Sequence, residues 1–275
     1  MVGSRAASFG MHAALALAAL VVIFPVVWIG LAALKTQIAL LRGDVFFTPV
    51  WTNFNELLFS RSSDYRADFL NSLIVASVST ALVLAVATPA AYSLHRLRWP
   101  RWVPAAVLAW SLVFHMIPPI TMVGPWYVMF RSLGLDNTYT GLVAAHLALN
   151  LPIGIWLMSV FVREIPIELE EAARVDGCTT PQMLLRIVVP LVAPGLAATA
   201  VICFVFSWNE FAVALNLTAK QTATVPVAIA RFAQEYEIKH GVMAAGAVLS
   251  AIPAVLLLLA AQRHIVKGLT AGAIR

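Results

Sequence analysis

Charge is what this chain has least of. Only 11% of its 275 residues are Asp, Glu, Lys or Arg, against about 25% in an ordinary soluble domain. A chain this poor in charge cannot cover itself with a wetted surface, so a soluble globule is excluded and lipid must cover much of it. Cysteine is almost missing as well. Cys178 and Cys203 match no metal or redox spacing and read as small apolar residues. The dipeptide Gly-Lys never occurs, so the Gly-x4-Gly-Lys-Ser/Thr phosphate cradle is excluded and with it ATP binding by that route. The energy for any transport must then come from another chain or from an ion gradient. An ion-driven carrier keeps ionisable groups deep in its spans, yet the apolar stretches hold little beyond His12, His115 and His146 that titrates. That scarcity, with no evident inverted repeat, weighs against a carrier acting alone. The lack of paired acids or a histidine cluster in the same stretches weighs against an intramembrane enzyme. The net charge of +5 bears on orientation in a membrane, not on nucleic acid.

Long hydrophobic runs are abundant, and 61% of the chain is hydrophobic. Six stretches lack Asp, Glu, Lys and Arg: Ala6–Leu34, Phe69–Leu94, Trp102–Phe130, Asn137–Val162, Ile187–Asn209 and Gly241–Gln262. Each meets the roughly 20 residues a helix needs to cross a bilayer, and none alternates polar and apolar residues as a barrel strand would. The expected fold is all-α, a polytopic membrane protein of six transmembrane helices. An N-terminal tail fills 1–10, the membrane domain 11–262, a polar loop about 163–190, and a C-terminal tail 263–275. The first stretch is longer than the apolar core of about 7–15 residues in a signal peptide. The third is too long for one plain helix. Pro118, Pro119 and Pro125 should stop it near Ile117, leaving a short helix over Met122–Leu133 at the outer interface, where Trp126 and Tyr127 fit. A single kinked helix is the alternative.

Six spans put both termini on one side. The tight segment "HRLRWPRW" between spans 2 and 3 carries Arg96, Arg98 and Arg101. Short loops dominate the positive-inside rule, so that side, with both termini, is the expected cytoplasm.

The same side holds "REIPIELEEAARVDGCTTPQMLLRIVVP", residues 163–190. Pro166 suits a first helical turn, and Glu168, Glu170 and Glu171 suit the positive end of that helix. Asp176-Gly177 reads as a stop. Thr180 reads as the cap of a second helix with Pro181 at its first position. Met183, Leu184, Ile187 and Val188 recur at helical spacing and lead into span 5. Ala172 and Ala173 give the first helix a shallow face that a partner can approach. A plain solvated hairpin is the alternative.

The spacing also carries a resemblance. "EEAARVDG", nine further residues, then Ile187 and Pro190 resemble the EAA loop of ABC importer permeases. That motif is Glu-Ala-Ala, three residues, Gly, nine residues, Ile, one residue, Leu-Pro. Glu171, Ala172, Ala173, Gly177, Ile187 and Pro190 match it, and Val189 stands where the family usually has Leu. Together with "NSL" at Asn71, "WNEF" at Trp208 and the tail "IVKGLTAGAIR", the chain resembles the second permease subunit of carbohydrate importers of the maltose type. The resemblance implies a type I importer permease fold in a bacterial inner membrane. It implies a heterodimer with a second permease, two ATPase subunits that bind ATP and Mg, and an extracytoplasmic solute-binding protein. This chain would bind no cofactor, no metal and no nucleic acid. The loop would be the coupling helix seated in an ATPase cleft, with Glu168, Glu171, Ala172, Ala173, Asp176, Gly177, Ile187 and Pro190 as its coupling residues.

A sugar path needs polar groups for hydroxyls and rings for the CH faces. Trp208, Asn209 and Glu210 cluster such groups near the outer end of span 5, where an interfacial anchor is the alternative. Asn71 and Ser72 fall at the start of span 2, where helix capping competes with a path role. Asn150 precedes Pro152 in span 4 and suits packing at a kink. The small-residue run "MAAGAVLSA" of span 6 favours close helix contact. The basic tail, with Arg263, His264 and Lys267, either holds inner-leaflet phosphates or, by the resemblance, reaches the ATPases.

Overall fold

The computed structural model describes residues 2–233 and 238–271, with side chains described for 10–233 and 238–262. The basic tail residues Arg263, His264 and Lys267 fall outside the described side chains. Among the described residues there is no strand, only one isolated bridge between Ala233 and Ile238. Among the described residues four helices are long and apolar enough to cross a membrane, or up to six where each of two bent pairs counts as one span.

The described residues of 1–66 and 228–252 form one compact unit. Its α1 (Val2–Ala33) exposes every residue from 10 to 29. A helix apolar on all sides must be surrounded by lipid or by another chain. Asn53 holds its end: the buried carboxamide donates to the Ala33 and Lys35 carbonyls, both at 2.8 Å, supplying donors that the last turn lacks. Two short helices follow, α2 (Gln37–Arg42) and α3 (Thr52–Phe59). Glu56 of α3 pairs with Lys239 at 2.5 Å. The Tyr65 hydroxyl donates to the Gly246 carbonyl at 3.0 Å, inside the small-residue run, where Ile229 packs so close that a Cβ on Gly246 would meet it at 2.9 Å.

The described residues of 67–227 and 253–275 form the second unit. It contains most of α4 (Tyr65–Arg96), which at 32 residues is about 48 Å long and outruns the bilayer core of about 30 Å. Next come α5 (Trp102–Met116), a short 3-10 turn (Pro119–Met122) and α6 (Val123–Ser132). The expected stop at Ile117 is present: the chain turns by 95° between α5 and the Pro119–Ser132 segment, which excludes the single kinked helix. Then α7 (Tyr139–Arg163) crosses in one piece despite Pro152.

The fifth span departs from expectation. It does not run straight from Ile187. The helices α8 (Ile167–Val175) and α9 (Thr180–Met183) lead into a π turn (Leu184–Val188), α10 (Val189–Leu191) and α11 (Ala193–Trp208). The Thr180–Leu191 segment is bent by 78° from α11. Pro190 and Pro194 flank the break and each removes a backbone donor. After α11 come α12 (Ala212–Leu217), α13 (Val225–Ala230) and α14 (His240–Ala271).

Two caps also differ from expectation by one residue. Thr179, not Thr180, caps α9, its N–H donating to Gln182 Oε1 at 2.9 Å. Pro166 is the cap of α8, not its first residue. Asn71 is no cap at all, because α4 begins at Tyr65 and leaves Asn71 inside the second turn.

In lipid, apolar burial gives helices little reason to associate, so close packing must hold them. Gly154 shows how: a Cβ there would lie 2.5 Å from Val83 Cγ1, so only glycine lets α7 approach α4. Val83, Ala87, Met158, Val162, Met183 and Cys203 pack around this contact into a core shared by α4, α7, α9 and α11.

Candidate functional site

The segment 163–190 is the elbow its sequence promises, with Gly177 as the joint. Gly177 has φ +80°, a left-handed conformation that costs residues with a Cβ about 1–2 kcal/mol. Its N–H donates to the Arg174 carbonyl and that of Cys178 to the Ala173 carbonyl, both at 3.0 Å, closing the end of α8 as left-handed caps do. Glu168, Glu171, Ala172, Asp176 and Gly177 are exposed. Apolar side chains share that surface: Ile167, Leu169 and, at the tip, Val175, which is 88% exposed.

Ala173 and Ile187 point the other way. Ala173 is buried, and Ile187 is half-buried in the π turn against the core. They hold the elbow to the bundle instead of offering a contact face, so the expected shallow face is Ala172 alone. Pro190 is exposed in α10, beyond the π turn.

Sequence reasoning places Glu170 with Glu168 and Glu171 at the positive end of α8. It is completely buried. Its Oε1 accepts from Arg96 Nε at 2.5 Å and its Oε2 from the Tyr92 hydroxyl at 3.0 Å. Arg96 Nη2 also donates to the Ile165 carbonyl at 2.6 Å and to that of Val162 at 3.2 Å. One guanidinium thus joins the end of α4, the end of α7 and the start of α8. It places a cation where α7 presents its negative end and satisfies carbonyls that the helix leaves open. A helical wheel raises the question, because Glu170 and Ala173 lie three residues apart and share a face. The partner, more than 70 positions upstream, leaves no such local sign.

A second feature lies where α5, α7 and α11 come together, a cavity of about 710 Å³. Asn150, Asn209 and Glu210 contribute polar groups to its wall, and Phe114, Phe206 and Phe211 contribute rings. Glu210 does two things at once. Its carboxylate accepts from the Val213 and Ala214 N–H groups at 2.8 and 2.9 Å, and Oε2 stands 3.7 Å from His146 Nε2. The other ring nitrogen, Nδ1, shares a proton with Ser207 Oγ at 2.6 Å, and Ser207 contacts Ser79 at 3.1 Å.

Of the four path candidates, Asn209 and Glu210 line the cavity; Asn71 and Trp208 do not. Trp208 is 3% exposed, edge-on to Phe69 and stacked on Phe204, so it packs α11 against α4 and is not an interfacial anchor. The Asn71 amide donates to the Gln221 and Ala223 carbonyls, and its oxygen accepts from Tyr139 at 2.6 Å. It pins the segment leading to α13. Asn150, read as a packing residue, is 5% exposed and lines the cavity.

Residues 84–271 match the family model described as "Binding-protein-dependent transport system inner membrane component". The chain is 35% identical over 257 residues to the trehalose transport system permease protein SugB of Mycobacterium tuberculosis, covering 92% of each. It is 34% identical over 264 residues to the trehalose/maltose transport system permease protein MalG of Thermococcus litoralis, covering 94% of each. The fold is similar to that of a bacterial ABC transporter involved in the import of the acidic polysaccharide alginate, with TM-score 0.75, 23% identity, and 95% and 97% of the two chains covered. An all-helical fold among the described residues with up to six apolar spans, an elbow with the EAA spacing, and relatives matched over nearly their whole length agree, and the chain belongs to the inner-membrane permease components of binding-protein-dependent transport systems.

Proposed function

We propose that the chain works as one of two permease subunits of an ATP-driven importer for a sugar or related polyol, with a different permease as its partner. Two ATPase subunits dock below and bind ATP and Mg. This chain has no phosphate cradle of its own, and it hydrolyses nothing. A binding protein outside the membrane delivers the substrate. Both termini and the elbow face the cytoplasm.

The observation that carries this reading is the build of the elbow. Its outer face exposes Val175, Ile167 and Leu169 beside Ala172 and an acidic rim of Glu168, Glu171 and Asp176. Its inner face is locked to the bundle through Glu170 and Arg96. Exposed apolar groups rimmed by charge are the signature of a surface that another protein covers. A body both docked and rigidly attached moves the spans when its socket moves. The sugar assignment rests on what the relatives carry in their names.

Reconstitution tests it. Purified alone in vesicles under a proton or sodium gradient, the chain should move no trehalose, maltose or glycerol. With the second permease, the ATPases, the binding protein and ATP, at least one of these should enter. Uptake by the chain alone would overturn the reading in favour of an ion-coupled carrier.

A further inference from the structure

We propose that a second crevice, where the end of α4, the first half of α5 and the end of α7 come together, binds the phosphoethanolamine headgroup of a membrane phospholipid. It shares no lining residue with the cavity between α5, α7 and α11, and it is independent of the importer reading above.

Level is the first argument. The crevice encloses about 490 Å³, a volume typical of small-ligand sites. Helix α7 has 25 residues and is about 37 Å long. It outruns a hydrocarbon core of about 30 Å, so its last turn reaches the headgroup layer. Arg163 is the last residue of α7, and His95 lies in the last turn of α4. Both line the crevice, with Trp156 about two turns deeper along α7. Just beyond His95, Trp99 and Trp102 are exposed, with Arg98 and Arg101 exposed beside them. Indoles and basic groups at a helix end mark the membrane interface. The crevice therefore stands at the height of phospholipid phosphates.

Orphaned polar atoms are the second. Ser159 is 4% exposed, and its hydroxyl makes no hydrogen bond among the described residues. The same holds for Nε2 of His95, an atom shut off from solvent. Both residues line the crevice. Folded proteins pair nearly all their buried polar atoms, so two orphans in one crevice point to a ligand. A hydroxyl donates to a phosphate oxygen, and a ring nitrogen donates or accepts with its tautomer. Arg163 is exposed and makes no ion pair among the described residues. Its planar fork fits two phosphate oxygens. The neighbouring Arg96 is not available, because Glu170 and two carbonyls hold it.

Charge balance is the third. The wall carries one guanidinium, from Arg163, and one carboxylate, from Glu164. A bare phosphate would meet attraction from one and repulsion from the other. A headgroup with both a phosphate and an ammonium finds a partner for each. The ammonium brings three donors for Glu164, and it suits the negative helix ends that α4 and α7 present at this level. Choline has no N–H to give, and a glycerol headgroup has no positive charge. Leu108 and Trp156 supply an apolar wall for the lipid's stem.

The test uses this chain in its native complex, purified in detergent and washed free of lipid. Dioctanoyl phosphatidylethanolamine, phosphatidylglycerol, phosphatidylcholine and inorganic phosphate are titrated separately, and native mass spectrometry counts the adducts on this chain. Phosphatidylethanolamine should bind about tenfold tighter than the other two lipids, and millimolar inorganic phosphate should not displace it. Ser159→Ala and Arg163→Gln should each weaken its binding about tenfold. Neither side chain bonds to a described residue, so both variants should assemble and unfold as the wild type does. Glu164→Gln should keep the binding and erase the preference for ethanolamine over glycerol. Full-strength binding in both Ser159→Ala and Arg163→Gln overturns the site. Displacement by inorganic phosphate overturns a lipid as its ligand. Phosphatidylglycerol binding the wild type as tightly as phosphatidylethanolamine overturns the headgroup assignment.

Discussion

Glu170 sits where an acid is expensive. Taking its carboxylate out of water is repaid only while Arg96 and Tyr92 stay in place, because an uncompensated buried charge costs several kcal/mol. Arg96→Met should therefore destabilise the docking of α8 by about 3–5 kcal/mol, read as a lower unfolding temperature in detergent and faster proteolysis at the elbow. On the proposed lever reading, uptake should fall with it. Adding Glu170→Leu removes the stranded charge, and the double variant should recover most of the stability. A double variant as unstable as Arg96→Met would show that the pair is not what holds α8. Tyr92 and Glu170 are 78 positions apart, and that distance is why the pair cannot be seen in the sequence. The EAA spacing is a local pattern, whereas a buried pair is a property of two elements already folded against each other.

At the scale of the element, the elbow divides labour between its joint and its face. A Cβ added to Gly177 would meet nothing within 4 Å, so only its φ of +80° resists substitution. Gly177→Ala should cost about 1–2 kcal/mol and leave measurable uptake. Gly177→Pro cannot reach that φ and also loses the N–H bonded to Arg174, so uptake should be lost. Ala172→Trp probes the face. Ala172 is exposed, so the chain should insert and fold as before while uptake and sugar-stimulated ATP hydrolysis both drop at least tenfold. Normal uptake in that variant would remove the lever from the mechanism. The two-helix elbow, its glycine joint and the proline stop at Ile117 are legible because each is a short-range signal: a left-handed turn or a missing donor. The bend before α11 is not, although Pro190 and Pro194 stand in plain view, because the run of apolar residues across them hides it. Asn71 and Trp208 mislead for the converse reason. A polar or aromatic residue inside a span announces that it has a partner, but not whether that partner is a sugar or another helix.

At the scale of the whole molecule, everything depends on which way the chain threads the bilayer. The tight loop after α4 carries Arg96, Arg98 and Arg101, and the elbow carries Arg163, Arg174 and Arg186; basic residues in short loops stay on the cytoplasmic side. Arg96 adds a constraint of its own, because its guanidinium is bonded to Glu170 and to the end of α7, so the loop after α4 and the elbow must share a side. The chain carries its own reporter of that side. Of its two cysteines, Cys203 is buried in the bundle and Cys178, next to the joint, is partly exposed. A membrane-impermeant maleimide should label inside-out vesicles washed free of ATPase and leave intact spheroplasts unlabelled, and Cys178→Ser should abolish the labelling. Labelling of spheroplasts instead would turn the elbow to the outside, where no ATP-hydrolysing partner can reach it, and the lever, the docking face and the importer reading would fail together.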